Sequence, residues 1–230
     1  MRTHRASLRP LLLVALLAWA LLLTQAAGGA AQTGKLMPVD EAVRDSELFA
    51  FRARLQAALA RHDVAAVLEV VDPRIKNTFG ADDGIEAFQR LWKLKEGDSR
   101  LWEELGLVLA LGGTFQNADN FVAPYVFSRW PDQVDSFENV AVLGRNVRVR
   151  AEPRAGSPVL TALSFDLVGV SGTGRERMTP EQARDWTAVK LRDGRTGYIS
   201  SRYVRSPVAH RAFLTRQNGS WRLTFFVAGD

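Results

Sequence analysis

The hydrophobic period of this chain changes near residue 137, and that switch limits the folds open to it more than any other feature. Before it, apolar residues recur every three or four positions. Leu48, Phe51, Leu55, Ala58 and Leu59 share one face of the segment 40–60, with Arg44, Arg52, Arg54 and Gln56 between them, the pattern of an amphipathic helix. Asp63 is placed to cap a second, short helix bearing Val64, Val67, Leu68 and Val71, which Pro73 stops because it brings no N–H. Residues 75–80 read as a short extended piece or turn. Asp83 opens a third helix with Ile85, Phe88, Leu91 and Trp92. Ser99 caps a fourth with Leu101, Trp102, Leu105, Val108 and Leu109, which Gly112-Gly113 ends. The stretch 114–136 is dense in rings (Phe115, Phe121, Tyr125, Phe127, Trp130) without a clear period. It is expected to be an ordered connector packed against a surface.

Beyond residue 137 the period is two. Val147 and Val149 alternate with Arg148 and Arg150, Pro153 breaks the strand, and Gly156-Ser157-Pro158 turns the chain. Short strands follow at 159–163 and 167–170. Residues 171–185, rich in Gly, Thr, Arg and Glu, are expected to form a long polar loop. In the next strand Thr187, Val189 and Leu191 alternate with Trp186, Ala188 and Lys190, and Asp193-Gly194 supplies a hairpin turn. A last hairpin runs from His210 through Gln217-Asn218-Gly219 to Val227 and carries Trp221. Its strands either add to the preceding β-region or return to the helical layer. The return is favoured, because four helices leave Trp92, Trp102 and the connector rings without a partner surface.

Charge follows the same boundary. Residues 32–136 hold 12 basic and 17 acidic residues, a net −5, whereas 137–207 hold 12 basic and 7 acidic, a net +5. Of the chain's 30 Lys and Arg, three (Arg2, Arg5, Arg9) precede an unbroken apolar run from Leu11 to Leu23 that ends in small residues. That order, a basic head, a short apolar stretch and Ala or Gly, is a secretory signal peptide spanning 1–31, with cleavage near Ala26 or Ala31. The run is shorter than the roughly 20 residues a bilayer span needs; an uncleaved segment is the one route to a membrane. A periplasmic or secreted location is expected. After cleavage the net charge falls from +5 to +2, so nucleic acid is not an expected partner. The chain has no cysteine, so its core must hold it together without disulfides.

Residues 140–204 resemble a bacterial SH3 domain. The resemblance is carried by Asn146-Val147-Arg148-Val149-Arg150-Ala151-Glu152-Pro153, by Gly156-Ser157-Pro158-Val159-Leu160, by Trp186-Thr187-Ala188-Val189-Lys190-Leu191, and by the hairpin from Asp193-Gly194 through Tyr198 and Ile199 to Tyr203-Val204. The whole chain is similar to exported bacterial proteins in which a helical region precedes an SH3-like part and a Trp-containing hairpin closes the chain. The expected fold class is therefore α+β: an N-terminal helical layer, completed by the C-terminal hairpin if that hairpin returns, plus a small SH3-like β-barrel. The domain plan is a signal peptide at 1–31, a helical or α+β domain with its connector at 40–136, the barrel at 137–207 and the hairpin at 208–230.

The resemblance implies a binding module. Trp186, Tyr198, Tyr203 and Pro153 are placed to form the aromatic groove that such barrels offer to extended ligands, although Trp186 and Tyr198 as cross-strand partners covering the barrel explain the same residues. Arg148 and Arg150, with Arg145 and Arg154, make a basic patch. It suits either an anionic wall polymer or, the preferred reading, the chain's own acidic half. Expected partners are peptidoglycan or an envelope protein or peptide. No cofactor, metal or catalytic residue is assigned. His62 and His210 lie far apart without a ligand pattern, a cysteine nucleophile is absent, and Ser200-Ser201 lacks a base. Asp82, Asp83, Glu86, Glu103 and Glu104 are explained by capping and solvated helix faces. A wall hydrolase using these carboxylates, or an accessory structural subunit of an envelope complex, are the alternative functions.

Overall fold

Helix α1 (Ser46–Ala60) begins where the Asp45 carboxylate accepts the Leu48 N–H at 2.8 Å, just after a 3-10 turn over Glu41–Arg44. Its apolar face, Leu48, Phe51, Leu55, Ala58 and Leu59, is buried. Asp63 caps α2 (Val64–Val70), and the chain passes directly into strand β1 (Val71–Lys76), which contains Pro73. Helix α3 (Ile85–Leu91) starts at Gly84 without a side-chain cap. Asp83, expected to cap it, instead binds Lys76 and the Asn77 N–H. Helix α4 (Leu101–Ala110) follows, with the Leu101 N–H donating to Ser99 Oγ. These elements belong to a computed structural model that describes residues 34–229. The expected signal peptide and its cleavage sites lie outside them.

The aromatic connector is corrected by the structure. Its first part is a tight hairpin, β2 (Thr114–Asn117) and β3 (Asn120–Ala123), followed by the one-turn helix α5 (Tyr125–Ser128). β3 pairs antiparallel with β11 (Arg211–Gln217), β11 pairs with β12 (Ser220–Val227), and β1 lies parallel to β12. The result is a five-stranded sheet in the order β1-β12-β11-β3-β2. The C-terminal hairpin thus returns to the N-terminal half, occupies the middle of its sheet, and supplies the surface that the tryptophans lacked. Trp92 stacks on Phe226 with centroids 5.0 Å apart, and Trp221, Leu223 and Leu214 join the main core with Phe51, Leu55, Phe88 and Leu105.

Between β3 and β11 the chain builds a second body. Strands β4 (Asn139–Val142), β7 (Leu167–Gly169) and β10 (Val204–Arg205) form one sheet; β5 (Val147–Arg150), β6 (Val159–Leu163), β8 (Trp186–Lys190) and β9 (Thr196–Ser200) form another. Val140, Val142, Val147, Val149, Val168, Val189 and Ile199 fill the space they share. A single bridge between Val170 and Val189 joins the two sheets, and no closed barrel forms among the described residues. The region expected as a polar loop, 171–185, holds two short helices, α6 (Gly172–Glu176) and α7 (Pro180–Asp185). The latter is opened by a capping box between Thr179 and Gln182. The architecture is mixed α and β with several sheets.

A third, smaller core ties the two bodies together. Leu36, Tyr125, Val126, Ala141 and Leu167 are buried against one another, and the Leu36 N–H donates to Phe165 O at 2.8 Å. The described residues, 34–229, form one compact unit.

Candidate functional site

Strand register decides which of the sequence-selected side chains can meet. Arg150 lies opposite Tyr198, Ala188 opposite Tyr198, and Trp186 opposite Ser200. Because side chains alternate along a strand, Arg148, Arg150, Tyr198, Ser200 and Trp186 share the outer face of the four-stranded sheet. Val147, Val149 and Ile199 point into the valine core. Trp186 and Tyr198 are therefore diagonal neighbours rather than a directly opposed pair.

On this face lies a groove of about 360 Å³ lined by Arg145, Asn146, Val147, Arg148, Arg150, Ala155, Trp186, Ser200, Arg202 and Tyr203. Of the eight residues expected in the aromatic groove and the basic patch, five, Trp186, Tyr203, Arg145, Arg148 and Arg150, line it. Tyr198 is buried beneath the same face, and Pro153 sits half-buried in the bend after β5, outside the lining. Arg202 was not selected from the sequence. The 3-10 turn Ser201–Tyr203 carries it to the groove, and its guanidinium lies 4.6 Å from the Tyr203 ring centroid. Its one sequence signal is its place beside Tyr203 at the end of the most specific hairpin.

The groove is strongly cationic. No carboxylate lines it, and among the described residues none of Arg145, Arg148, Arg150 and Arg202 takes part in an ion pair. Arg145 lies over the Phe165 ring at 5.6 Å, and Arg150 Nη1 donates to Ser157 O at 2.6 Å, which fixes its direction. Arg154 is different: it pairs with Glu152 at 2.6 Å and does not line the groove. Guanidinium forks held beside aromatic rings suit carboxylate or phosphate groups.

Contact between the basic and acidic halves is made elsewhere. Arg205, buried at 7% exposure, donates from Nη2 to Glu104 Oε1 at 2.8 Å and to His210 O at 2.7 Å. His210 Nδ1 stands 3.5 Å from the same carboxylate. The His210 imidazole and the Arg205 guanidinium hold the Glu104 carboxyl at about 2, against an ordinary 4.5. Arg216, on the C-terminal hairpin, pairs with Asp45 within the helical and five-stranded body. No residue of the acidic half lines the groove of Arg148 and Arg150.

Of the remaining sequence-selected carboxylates, Glu86 and Glu103 are exposed on their helices, and the other two are engaged in ion pairs. Asp82 pairs with Arg90 at 2.7 Å, and Asp83 pairs with Lys76, which lowers its pKa. A general acid needs the opposite shift. His62 stacks on Trp102 with centroids 5.1 Å apart, and His210 packs on Trp92 at 5.0 Å. A larger depression, about 890 Å³, runs between α1, α2 and the tip of the β11–β12 hairpin. Its floor is Ala50, Ala57, Ala58 and Ala66, and its charges are of both signs, so it lacks the convergent polar groups of a specific site. No protein-family model, curated protein or solved structure matches the chain.

Proposed function

We propose that this chain is an exported envelope protein in which an SH3-like, two-sheet module binds a peptide, a cell-wall glycopeptide or a protein partner. The observation that carries this reading is the groove itself: four arginines without ion-pair partners among the described residues, beside Trp186 and Tyr203 on and next to the outer sheet face. Two small sheets around one valine core, with strands in the order of the sequence resemblance, support the SH3-like assignment. The basic head and apolar run at the start of the chain support export. A carboxylate-dependent hydrolase has less support, because the lowered carboxyls of Asp83 and Glu104 stay ionised.

The test is retention of the purified protein on isolated peptidoglycan, together with capture of envelope proteins by the immobilised protein at low salt. Replacing Arg148 and Arg202 with Ala should reduce what is retained about tenfold. A double variant that retains as much as the parent protein would overturn the assignment of this groove.

A further inference from the structure

A second cavity opens beside the cationic groove. It holds about 300 Å³; Phe137, Val140, Val170, Met178, Ala183 and Trp186 make its lining mainly apolar, and Ser171, Thr187, Ser206 and Arg175 add polar groups. The two short helices α6 and α7 form its outer wall against β8. Trp186 lines both cavities. Trp186 is therefore common to a mainly apolar pocket and a row of arginines, and a ligand crossing it meets both.

We infer that the ligand of this module is an extended acidic peptide segment with one large apolar side chain, seated in the pocket of Met178 and Ala183 while flanking carboxylates lie on Arg148, Arg150 and Arg202. This inference rests on the binding reading above and narrows it. The apolar pocket selects the class, since a polysaccharide has no large aliphatic or aromatic side chain to place there, whereas a peptide supplies one beside its acidic neighbours. The pocket has the volume for a single Leu, Met or Phe side chain, and its burial gives affinity where the arginines give charge selection. Phe137, 60% exposed at the pocket rim, is the surface such an anchor would cover.

The experiment uses a fluorescein-labelled octapeptide pool of Asp and Glu with one central Leu, titrated with the purified protein by fluorescence anisotropy. Binding should weaken about tenfold when the Leu is changed to Ser, and about tenfold again between 50 and 500 mM NaCl. A Lys-containing pool should not bind. On the protein side, Met178→Glu should lose the preference for Leu over Ser, and Arg148→Ala with Arg202→Ala should lose the salt dependence while keeping the Leu preference. Equal affinity for the Leu and Ser pools, or no binding of either, would overturn the inference. So would displacement of the peptide by polygalacturonate at equal charge concentration, which would assign the groove to an anionic glycan. If the protein is retained on envelope material through Arg148 and Arg202 but ignores the peptide pool, the broader reading stands and this one fails.

Discussion

Glu104 joins the two bodies through charge. Its carboxylate receives Arg205 from the two-sheet body and faces His210 at the start of β11. With its folded pKa below the ordinary value, its contribution to stability is fully present above about pH 4.5 and is lost as the pH falls from there toward 2. Glu104→Gln should lower stability at pH 7 by about 2 kcal/mol, because it strips the partner from a buried guanidinium. It should also flatten the loss of stability between pH 4.5 and 2. Urea unfolding of parent and variant across that range reads both effects. The sequence does not disclose this pairing, since Glu104 and Arg205 lie on elements far apart in the chain and each reads alone as a solvated charge. The same holds for Arg52, placed by spacing on the polar side of α1. It is buried, at 6% exposure, because it reaches back to Asp40 with two bonds of 2.6 and 2.7 Å. Periodicity locates a face; it does not report a carboxylate waiting outside the helix.

At the level of elements, the helices α1 to α4 and the strands β5, β8 and β9 are legible because their apolar positions recur over enough residues to set a period. The hairpin β2–β3 is not: β5 is as short but alternates strictly as Val-Arg-Val-Arg, whereas Thr114-Phe115-Gln116-Asn117 and Asn120-Phe121-Val122-Ala123 keep no such alternation. Helices α6 and α7 likewise keep no apolar period, although Thr179-Pro180-Glu181-Gln182 held a capping box that a search for caps would find. Half of the cationic groove is legible, through Arg145, Arg148, Arg150, Trp186 and Tyr203. Its apolar neighbour was not, because it depends on those two unrecognised helices. The link from α4 to β2 makes its own demand. A Cβ at Gly113 would lie 2.1 Å from Val122 O, a strand carbonyl with nowhere to move. Gly113→Ala should therefore cost at least about 2 kcal/mol and lower the melting temperature by about 5 °C, measured by differential scanning fluorimetry.

For the whole molecule, the final strands are structural centre rather than appendage. β11 and β12 stand between β1 and β3, and Ala212, Leu214, Trp221, Leu223 and Phe226 belong to the main core. A chain ending at residue 207 loses all of these while keeping the entire two-sheet body. It should not yield a cooperatively folded N-terminal half: near-UV circular dichroism of its tryptophans should be lost, and a protein with native-like signal and a single unfolding transition would contradict the sheet order. The lack of a partner surface for Trp92, Trp102 and the connector rings points to that return from the sequence alone; the register that makes Ala123 the neighbour of Ala212 is not legible there.

Pinning residues 34–36 against the two-sheet body has a mechanical consequence. Gly34 accepts the Leu167 N–H, Leu36 donates to Phe165 O, Phe165 donates to Gly144 O, and Asn146 at the groove donates to Ser164 Oγ. Tension between residue 34 and a ligand held in the groove would be borne along this short chain of bonds within one body. The helices and the five-stranded sheet would carry none of the load.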